Sequence, residues 1–171
     1  MAPLISINRP APDFLLPDLD GNHHSLANWR GQIVVLNFWS AECPWSERCD
    51  RELLAYLPNW GDEVLLCSIA SNANESPELL ARLAVERSLP LVLIDSNQYA
   101  ADLYQALTTP HLFVIDHRGL LRYHGAFDDV TFRRRSPSQF YLRQAVEALL
   151  AGRPPTPDYT EPTGCTIVRH I

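Results

Sequence analysis

The stretch Val34–Cys49 reads VVLNFWSAECPWSERC and decides the fold. Its apolar run, together with Ile33, ends at Trp39 and has the length and β-branched content of a strand that is buried on both faces. A short Ser-Ala-Glu link leads to Cys43 and Pro44, after which the residues follow a helical pattern. Because the missing N–H of a proline has no partner in a first helical turn, Pro44 is well placed to begin the helix. The sequence therefore predicts Cys43 at the mouth of a helix, at the carboxyl end of a strand.

This position of Cys43 favours a reactive sulfur. The N–H groups of a first helical turn have no backbone partner, and the helix dipole is positive at this end, so both stabilise a thiolate. Cysteines in such positions have pKa values lowered to roughly 3.5–7.5. We therefore expect Cys43 to be a redox nucleophile.

The composition restricts the class of protein. The chain has 171 residues, of which 46% are hydrophobic and 20% charged, and this is enough for one domain with a full core. A formal net charge of −6 disfavours nucleic-acid binding, since affinity for phosphate backbones needs clustered positive charge. No apolar run is long enough to span a bilayer, and residues 1–14 lack the basic and apolar parts of a signal peptide. We expect a cytoplasmic protein without nucleic-acid or membrane partners.

The rest of the chain alternates strands and helices. A hairpin is expected over residues 15–25, with its turn at 20–22, followed by a turn or short helix over 26–30 and the central strand over 33–39. The later predicted elements are a helix over 44–56 that stops before Pro58, a strand over 64–69, a helix over 76–87, a strand over 91–94, a helix over 97–104, strands over 111–116 and 120–124, and a helix over 137–150. The proline-rich residues 154–164 are expected to lack regular structure. This order implies an α/β fold with a mixed sheet flanked by helices.

Several segments resemble a known family. APDFLLPDLDG at 11–21, NFWSAECP at 37–44 and TGCTIV at 163–168 are similar, in order and spacing, to thioredoxin-fold redoxins. The resemblance is to their peroxiredoxin-like subgroup, related to alkyl hydroperoxide reductase and thiol-specific antioxidant, with a C-terminal Gly-Cys-x-Ile tail. It covers about residues 8–169 and implies a single thioredoxin-like domain over 1–171. Its parts would be an N-terminal extension with a β-hairpin (1–32), the core (33–152) and a C-terminal tail (153–171).

The resemblance also implies roles for particular residues. Thr109-Pro110 would be the cis-proline turn beside Cys43, and the backbone of Thr109 would pair with an extended substrate segment. In the peroxiredoxin pattern Pro-x-x-x-Thr/Ser-x-x-Cys, Ser40 fills the hydroxyl position, but Leu36 stands where the proline belongs. The pattern also needs a distant arginine, for which Arg48 and Arg122 are possible substitutes. Half of the peroxidase motif is therefore present.

A dithiol exchange needs a second cysteine to resolve the mixed disulfide. The usual place, three residues after Cys43, is Ser46. Cys49 would lie about 9 Å further along the helix and point away, whereas a disulfide needs Cα atoms about 4.4–6.8 Å apart, so its pairing requires unwinding. Cys165, on a tail that could fold back next to Gly164, is the other possible resolving residue. Cys67 is expected to be a buried strand residue.

Other residues near Cys43 have open roles. Trp39 resembles the active-site aromatic residue of the family, and Trp45 either shields the thiol or packs in the core or on the surface. Glu42 could raise the pKa of Cys43 by like-charge repulsion or relay protons. His111, which follows the proline turn, could act as an acid, base or metal partner, although a single histidine is usually structural.

Three functions follow as hypotheses. The first is a thiol-dependent oxidoreductase that reduces or exchanges disulfides through Cys43; the second is a peroxiredoxin-like thiol peroxidase acting on hydroperoxides. The third is a non-enzymatic redox-sensing or metal-binding module. The expected partners are an external thiol reductant, thioredoxin-like or glutathione-like, and a disulfide or hydroperoxide substrate. We expect no cofactor and no bound metal, and either a monomer or a homodimer.

Overall fold

The computed structural model describes residues 5–171. The segment 1–4 is outside this range, so the prediction that residues 1–14 are not a signal peptide lies partly outside the described residues. The strands are β1 (Leu15–Pro17), β2 (His23–Ser25), β3 (Ile33–Trp39), β4 (Val64–Ala70), β5 (Val92–Ile94), β6 (Thr108–Thr109), β7 (His111–Ile115), β8 (Leu121–Gly125) and β9 (Cys165–Thr166). The helices are α1 (Pro44–Trp60), α2 (Pro77–Glu86), α3 (Tyr99–Leu103) and α4 (Tyr141–Leu150), with 3-10 turns at Leu26–Trp29 and Gly61–Glu63.

The main sheet is mixed, as predicted. Its five strands follow the order β5-β4-β3-β7-β8. β3 pairs in parallel with β4 and antiparallel with β7, so that Leu36 lies between Cys67 and Phe113. β3 is buried along its whole length, which explains why its residues other than Asn37 are apolar. β1 and β2 form the separate N-terminal hairpin.

Helices cover both faces of this sheet. Val35 faces α1 and α4, where Leu53 and Val146 complete one cluster of buried side chains. Phe38 faces the opposite side and packs with residues of α3 and of the N-terminal hairpin. A third cluster joins the end of β3 to α2. These layers confirm the predicted α/β, thioredoxin-like arrangement and place the carboxyl end of β3 where the chain enters α1.

Two predicted helix boundaries are wrong by four residues each, whereas the others lie within about two residues of the observed ones. α1 continues through Pro58 to Trp60. Pro58 removes only one backbone hydrogen bond near the end of the helix, and the packing of the buried Trp60 in the core outweighs that loss. α4 begins at Tyr141 rather than at 137. No helix within the described residues is long and apolar enough to cross a membrane.

The tail also differs from the expectation. Residues 154–164 lack helix and extended strand, as predicted, but Cys165 and Thr166 form β9 and pair antiparallel with β6. This pairing joins the C-terminal end of the chain to the loop just before β7.

Candidate functional site: two facing thiols at the mouth of a helix

Cys43 caps the N-terminus of α1, as the sequence predicts. Its backbone is extended (φ −86°, ψ 122°), and Pro44 occupies the first helical position. The Cys43 carbonyl oxygen accepts the first hydrogen bond of the helix from Glu47 N–H at 3.0 Å. The side chain is 3% exposed. The sulfur is therefore shielded from bulk water while it lies beside the unpaired N–H groups of the first turn.

Cys165 faces Cys43 directly. The two Sγ atoms lie 2.7 Å apart, and both residues are free thiols. β9 places Cys165 opposite Thr109, and the Thr109–Pro110 peptide bond is cis. The Cys43 Sγ also lies 3.1 Å from the Thr109 carbonyl oxygen. The structure thus brings together the predicted nucleophile, one of the two possible resolving cysteines and the proline turn.

Gly164 is what allows this approach. A Cβ atom at this position would lie 2.2 Å from the Thr109 carbonyl oxygen and 2.7 Å from its carbon, closer than any side chain tolerates. The backbone before Cys165 therefore packs directly on the peptide group of Thr109. A glycine next to Cys165 is a requirement of the site.

The two thiols differ in acidity. Burial raises the pKa of Cys43, but hydrogen bonds from the Cys165 side chain and from the Ser46 backbone N–H outweigh it, so the pKa is lower than usual. Burial and the neighbouring Cys43 raise the pKa of Cys165 to about 11. Cys43 is therefore the more acidic thiol of the pair, and the Cys165 thiol is placed to donate a hydrogen bond to the Cys43 sulfur when that sulfur is ionised.

Hydrogen bonds fix the tail on both sides of Cys165. Upstream, the Thr160 hydroxyl lies 2.6 Å from the Tyr123 hydroxyl and accepts from Ala126 N–H at 2.9 Å. Downstream, Ile167 N–H donates to the Leu107 carbonyl at 3.1 Å, and the side chain of Ile167 is 3% exposed. Cys165 is held next to Cys43 and does not depend on a flexible tail folding back.

Sequence reasoning missed a buried network below the Cys43 turn. Trp39 Nε1–H donates to Asp50 Oδ2 at 2.6 Å, and Arg87 donates to the same oxygen at 3.0 Å. Arg87 also donates to the Ala41 carbonyl at 2.6 Å, inside the turn that precedes Cys43. Burial raises the pKa of Asp50 to about 6. One feature of the sequence could have indicated this network, because Asp50 directly follows the core residue Cys49 on the buried face of α1.

A second missed residue, Glu75, organises the opening in front of Cys43. Its carboxylate accepts from the Ser40 hydroxyl at 2.8 Å, from Glu42 N–H at 3.0 Å and from the Asn72 side chain at 3.3 Å. These residues border a cleft of about 140 Å³ on which both Cys43 and Cys165 open. Ser40 therefore borders the cleft but gives its hydroxyl hydrogen to Glu75.

Cys49 packs in the core rather than against Cys43, so a resolving role for it would require α1 to unwind, as the sequence predicts. Its side chain is 1% exposed and packs in the cluster between the sheet, α1 and α4. Burial raises the pKa of Cys49 well above its usual value, with further raising by Asp50 and Asp128. The helix remains intact between the two cysteines. Ser46, at the usual resolving position, is buried and its hydroxyl accepts from Ser40 N–H at 3.3 Å.

The proposed arginines lie elsewhere as well. Arg48 forms a two-pronged ion pair with Asp128, and Arg122 donates to Asp116 at 3.0 Å. Each guanidinium is neutralised by a buried carboxylate. Within residues 5–171, neither of them hydrogen-bonds to Cys43, so neither supplies the thiolate-stabilising arginine of the peroxidase pattern.

His111 packs in the buried interior, whereas Trp45 packs at the surface. The ring of His111 accepts from Leu107 N–H at 3.3 Å and lies 3.3 Å from the ring of His124. Burial and the charge of His124 lower the pKa of His111 to about 3, so the ring is neutral. Trp45 packs edge-on against Phe132 with ring centres 5.3 Å apart. Within the described part of the chain, no group of three or more metal-binding side chains is gathered.

The fold and the two facing thiols define a thioredoxin-fold redox protein. The chain belongs to the AhpC/TSA family, whose model matches residues 7–124. The match ends before the tail, so Cys165 lies outside the matched residues.

Named relatives point to one chemistry. The thiol-disulfide oxidoreductase ResA of Geobacillus kaustophilus is 34% identical over 124 residues, covering 67% of this chain and 66% of that protein. The thiol:disulfide interchange protein DsbE of Allochromatium vinosum is 25% identical over 119 residues, covering 68% of this chain and 65% of that protein. The similarity thus spans about two thirds of the length of these relatives.

Solved structures match more of the chain. A hypothetical protein from Sinorhizobium meliloti superimposes with a TM-score of 0.86 at 28% identity, covering 96% of this chain and 95% of that one. An uncharacterized conserved protein from Geobacillus kaustophilus gives a TM-score of 0.84 at 30% identity, covering 99% and 94%. The tail is therefore included in similar whole-chain folds.

Proposed function

We propose that this protein is a thiol-disulfide oxidoreductase in which Cys43 is the nucleophile and Cys165 is the resolving cysteine. The observation that carries the proposal is the 2.7 Å separation of the two sulfur atoms, with opposite shifts of their pKa values. The relatives named as thiol-disulfide oxidoreductases support the same class of enzyme. Disulfide chemistry was the first of the three hypotheses from the sequence.

The geometry supports a two-step exchange. The Cys43 thiolate attacks one sulfur of a substrate disulfide, the substrate S–S bond breaks, and the released thiolate takes the proton of Cys165. The Cys165 thiolate then attacks Cys43 in the mixed disulfide, and the second substrate thiolate leaves and takes a proton from water. The substrate gains two electrons, and the protein retains a Cys43–Cys165 disulfide. An external thiol reductant returns the pair to its reduced form.

Cys165 thereby replaces the missing second cysteine of the helix. With Ser46 at the usual position, a resolving sulfur must come from another element, and β9 supplies it across the proline turn. The active-site helix need not unwind. The specific reductant, the cytoplasmic location and the monomeric or homodimeric state stay predictions.

The peroxidase hypothesis has less support than disulfide exchange. The sequence lacks the proline of the peroxidase motif, and the described residues provide no arginine beside Cys43, because Arg48 and Arg122 bind carboxylates. The Ser40 hydroxyl, which the motif does have, donates to Glu75. A peroxidase needs a cationic donor beside the thiolate and the peroxide oxygens, whereas within residues 5–171 the Cys43 sulfur has Thr109, Cys165 and the Ser46 backbone N–H as its hydrogen-bond partners.

Stopped-flow kinetics of the reduced protein test the proposal. Intrinsic tryptophan fluorescence follows oxidation by bis(2-hydroxyethyl) disulfide and, in parallel, by hydrogen peroxide. We expect disulfide to oxidise the protein with release of two substrate thiols per chain, and Cys67→Ala to behave like the wild type. Slow reaction with the disulfide but rapid, stoichiometric reaction with peroxide would replace the proposal by the peroxidase function.

A further inference from the structure

The backbone edge next to Cys43 is filled by the chain itself. An extended peptide adds to a sheet by pairing with free N–H and C=O groups of an edge strand. Here β9 pairs with β6, with Cys165 opposite Thr109 and Thr166 opposite Thr108. Gly164 lies so close to the Thr109 carbonyl that not even a Cβ fits between them. A polypeptide that approaches Cys43 along β6 has to displace β9.

Displacing β9 disrupts several contacts that follow it. Ile167 belongs to the core cluster that also contains Phe38. Val168 N–H donates to Asn72 Oδ1 at 2.8 Å, and the Val168 carbonyl accepts from Ala73 N–H at 3.0 Å. The segment is therefore part of the folded structure, and an incoming polypeptide competes with it at a disadvantage.

The cleft in front of Cys43 is what remains open to a substrate. Its volume is about 140 Å³, less than half of the roughly 300 Å³ at the lower end of pockets for drug-sized ligands. The Cys43 side chain itself is 3% exposed. A small group can reach the sulfur through this cleft, whereas a folded protein surface cannot.

The charge of the cleft further restricts the ligand. Two acidic residues, Glu42 and Glu75, line it together with the neutral Ser40, Asn72 and Asn74. Glu75 is held at the cleft by its bonds to the Ser40 hydroxyl and the Glu42 backbone. No lysine or arginine is among the described residues that line it. An anionic group that enters meets like charge, and a cationic group meets opposite charge.

From these observations we propose that the substrate of Cys43 is a low-molecular-weight disulfide with uncharged or cationic ends, and that β9 excludes extended polypeptide disulfides. The proposal rests on the disulfide exchange proposed above and uses the same balanced steps. One small thiol leaves when Cys43 forms the mixed disulfide. The second leaves when Cys165 displaces it, and a thiol reductant restores both cysteines.

The test measures the first step alone, in Cys165→Ser, where the mixed disulfide at Cys43 is trapped and counted by mass spectrometry. The probes are cystamine, bis(2-hydroxyethyl) disulfide and dithiodiglycolate, with two positive, no and two negative charges, and a disulfide-bonded dimer of a neutral ten-residue peptide. The rate at which each probe reacts with Cys43 is divided by the rate at which the same probe reacts with free 2-mercaptoethanol. This division removes the effect of differences in leaving-group acidity between the probes. We expect the normalised rate to fall about fivefold at each step from cationic to neutral to anionic, and the peptide to be slower than the neutral probe by at least about tenfold.

Matched variants separate charge from steric exclusion. Glu75→Gln keeps an acceptor for Ser40 and should reduce the charge dependence, whereas Glu78→Gln, on α2 and outside the cleft, should leave it unchanged. Gly164→Ala forces the tail away from Thr109 and should speed the peptide reaction, whereas Thr163→Ala, which adds no atom at the contact, should not. Circular dichroism verifies that each variant is folded.

The outcomes are distinct. Absence of reaction with every probe contradicts the disulfide exchange itself. Reaction with the peptide as fast as with the neutral probe, while small disulfides react, contradicts the exclusion by β9 but leaves the exchange intact. A faster anionic than cationic probe overturns the proposed charge preference. The charge series in Cys165→Ser decides this last point even if Gly164→Ala does not fold.

Discussion

The molecule contains two pairs of cysteines whose surroundings differ. Cys43 and Cys165 face each other at the mouth of α1, beside the cis-proline turn. Cys49 and Cys67 lie in separate core clusters on opposite sides of the sheet. Burial raises the pKa of both core thiols above the usual range. At the helix mouth, burial also acts to raise the pKa of Cys43, yet hydrogen bonds to its sulfur lower it overall.

The difference shows that hydrogen-bond donors, and not residue exposure alone, lower the pKa of Cys43 relative to the core thiols. Cys43 is nearly as buried as Cys49, with 3% against 1% exposed. The Cys43 sulfur has the Cys165 thiol and the first-turn N–H of Ser46 as hydrogen-bond donors, whereas the Cys49 sulfur has neither. A thiolate is stabilised by such donors and destabilised by an apolar cavity.

The largest effect is expected from removing the nucleophile. Cys43→Ser should lower disulfide-reductase turnover by at least about a thousandfold, because a serine hydroxyl is not ionised at neutral pH. Turnover is measured with bis(2-hydroxyethyl) disulfide and excess reductant. The matched core variant Cys67→Ala should keep its turnover. Equal losses in both variants would show that the two pairs of cysteines do not differ in function.

A second effect concerns burial in the core next to Cys49. Asp50 has a pKa of about 6 when folded, because it is buried, against about 3.9 in an unfolded chain. Between these values the folded state binds more protons than the unfolded state, so this group makes the protein less stable as pH rises from about 4 to 6. Asp50→Asn removes this dependence, so the variant should gain up to about 3 kcal/mol relative to the wild type between pH 4 and pH 7.

Urea denaturation at the two pH values measures that gain. Glu52→Gln, at a half-buried acid on the same helix, serves as the control, and because it retains Asp50 it should keep the pH dependence of the wild type. If the Asp50→Asn and wild-type curves stay parallel across this range, burial does not raise the pKa of Asp50.

The third effect separates the roles of the two facing thiols. Cys165→Ser should still form the mixed disulfide at Cys43 but resolve it slowly, lowering turnover by about tenfold to a hundredfold. Quenched samples analysed by intact-mass spectrometry should show the mixed disulfide accumulating. Cys49→Ala should not accumulate it. Accumulation in Cys49→Ala instead would transfer the resolving role to the core cysteine.

The smallest effect tests the hydrogen bond between the two thiols. Cys165→Ala removes a donor to the Cys43 thiolate, so the pKa of Cys43 should rise. The pH midpoint of Cys43 alkylation by iodoacetamide should move to higher pH, while Cys165→Ser, which keeps a hydroxyl donor, should move it less. An unchanged midpoint in the alanine variant would mean that Cys165 does not contribute to the acidity of Cys43.

Local patterns were enough to predict much of the fold. β3 begins and ends at the predicted residues, Ile33 and Trp39, because a mostly apolar run of this length between polar turns is typical of a strand buried on both faces. α2 likewise begins after the predicted cap, Ser76, which accepts from Leu79 N–H. The placement of Cys43 followed from the proline rule at helix starts.

Local sequence patterns could not predict which residues surround Cys43. β6 and β9 have two residues each and are separated by most of the second half of the chain, so neither has a periodic pattern. Glu75 precedes α2 and Arg87 follows it, and both reach the Cys43 turn through side-chain hydrogen bonds that no local sequence pattern predicts. The resemblance supplied the proline turn, but the choice between Cys49 and Cys165 required the distance between sulfur atoms.

The most direct test of the central claim is disulfide mapping of the wild-type protein. The reduced chain is treated with one equivalent of bis(2-hydroxyethyl) disulfide, the remaining thiols are alkylated at low pH, and the digested protein is analysed by mass spectrometry. If Cys43 and Cys165 are the redox pair, their two peptides will be linked, and Cys49 and Cys67 will be alkylated. A Cys43–Cys49 link, or a Cys43 that remains fully alkylated, would contradict it.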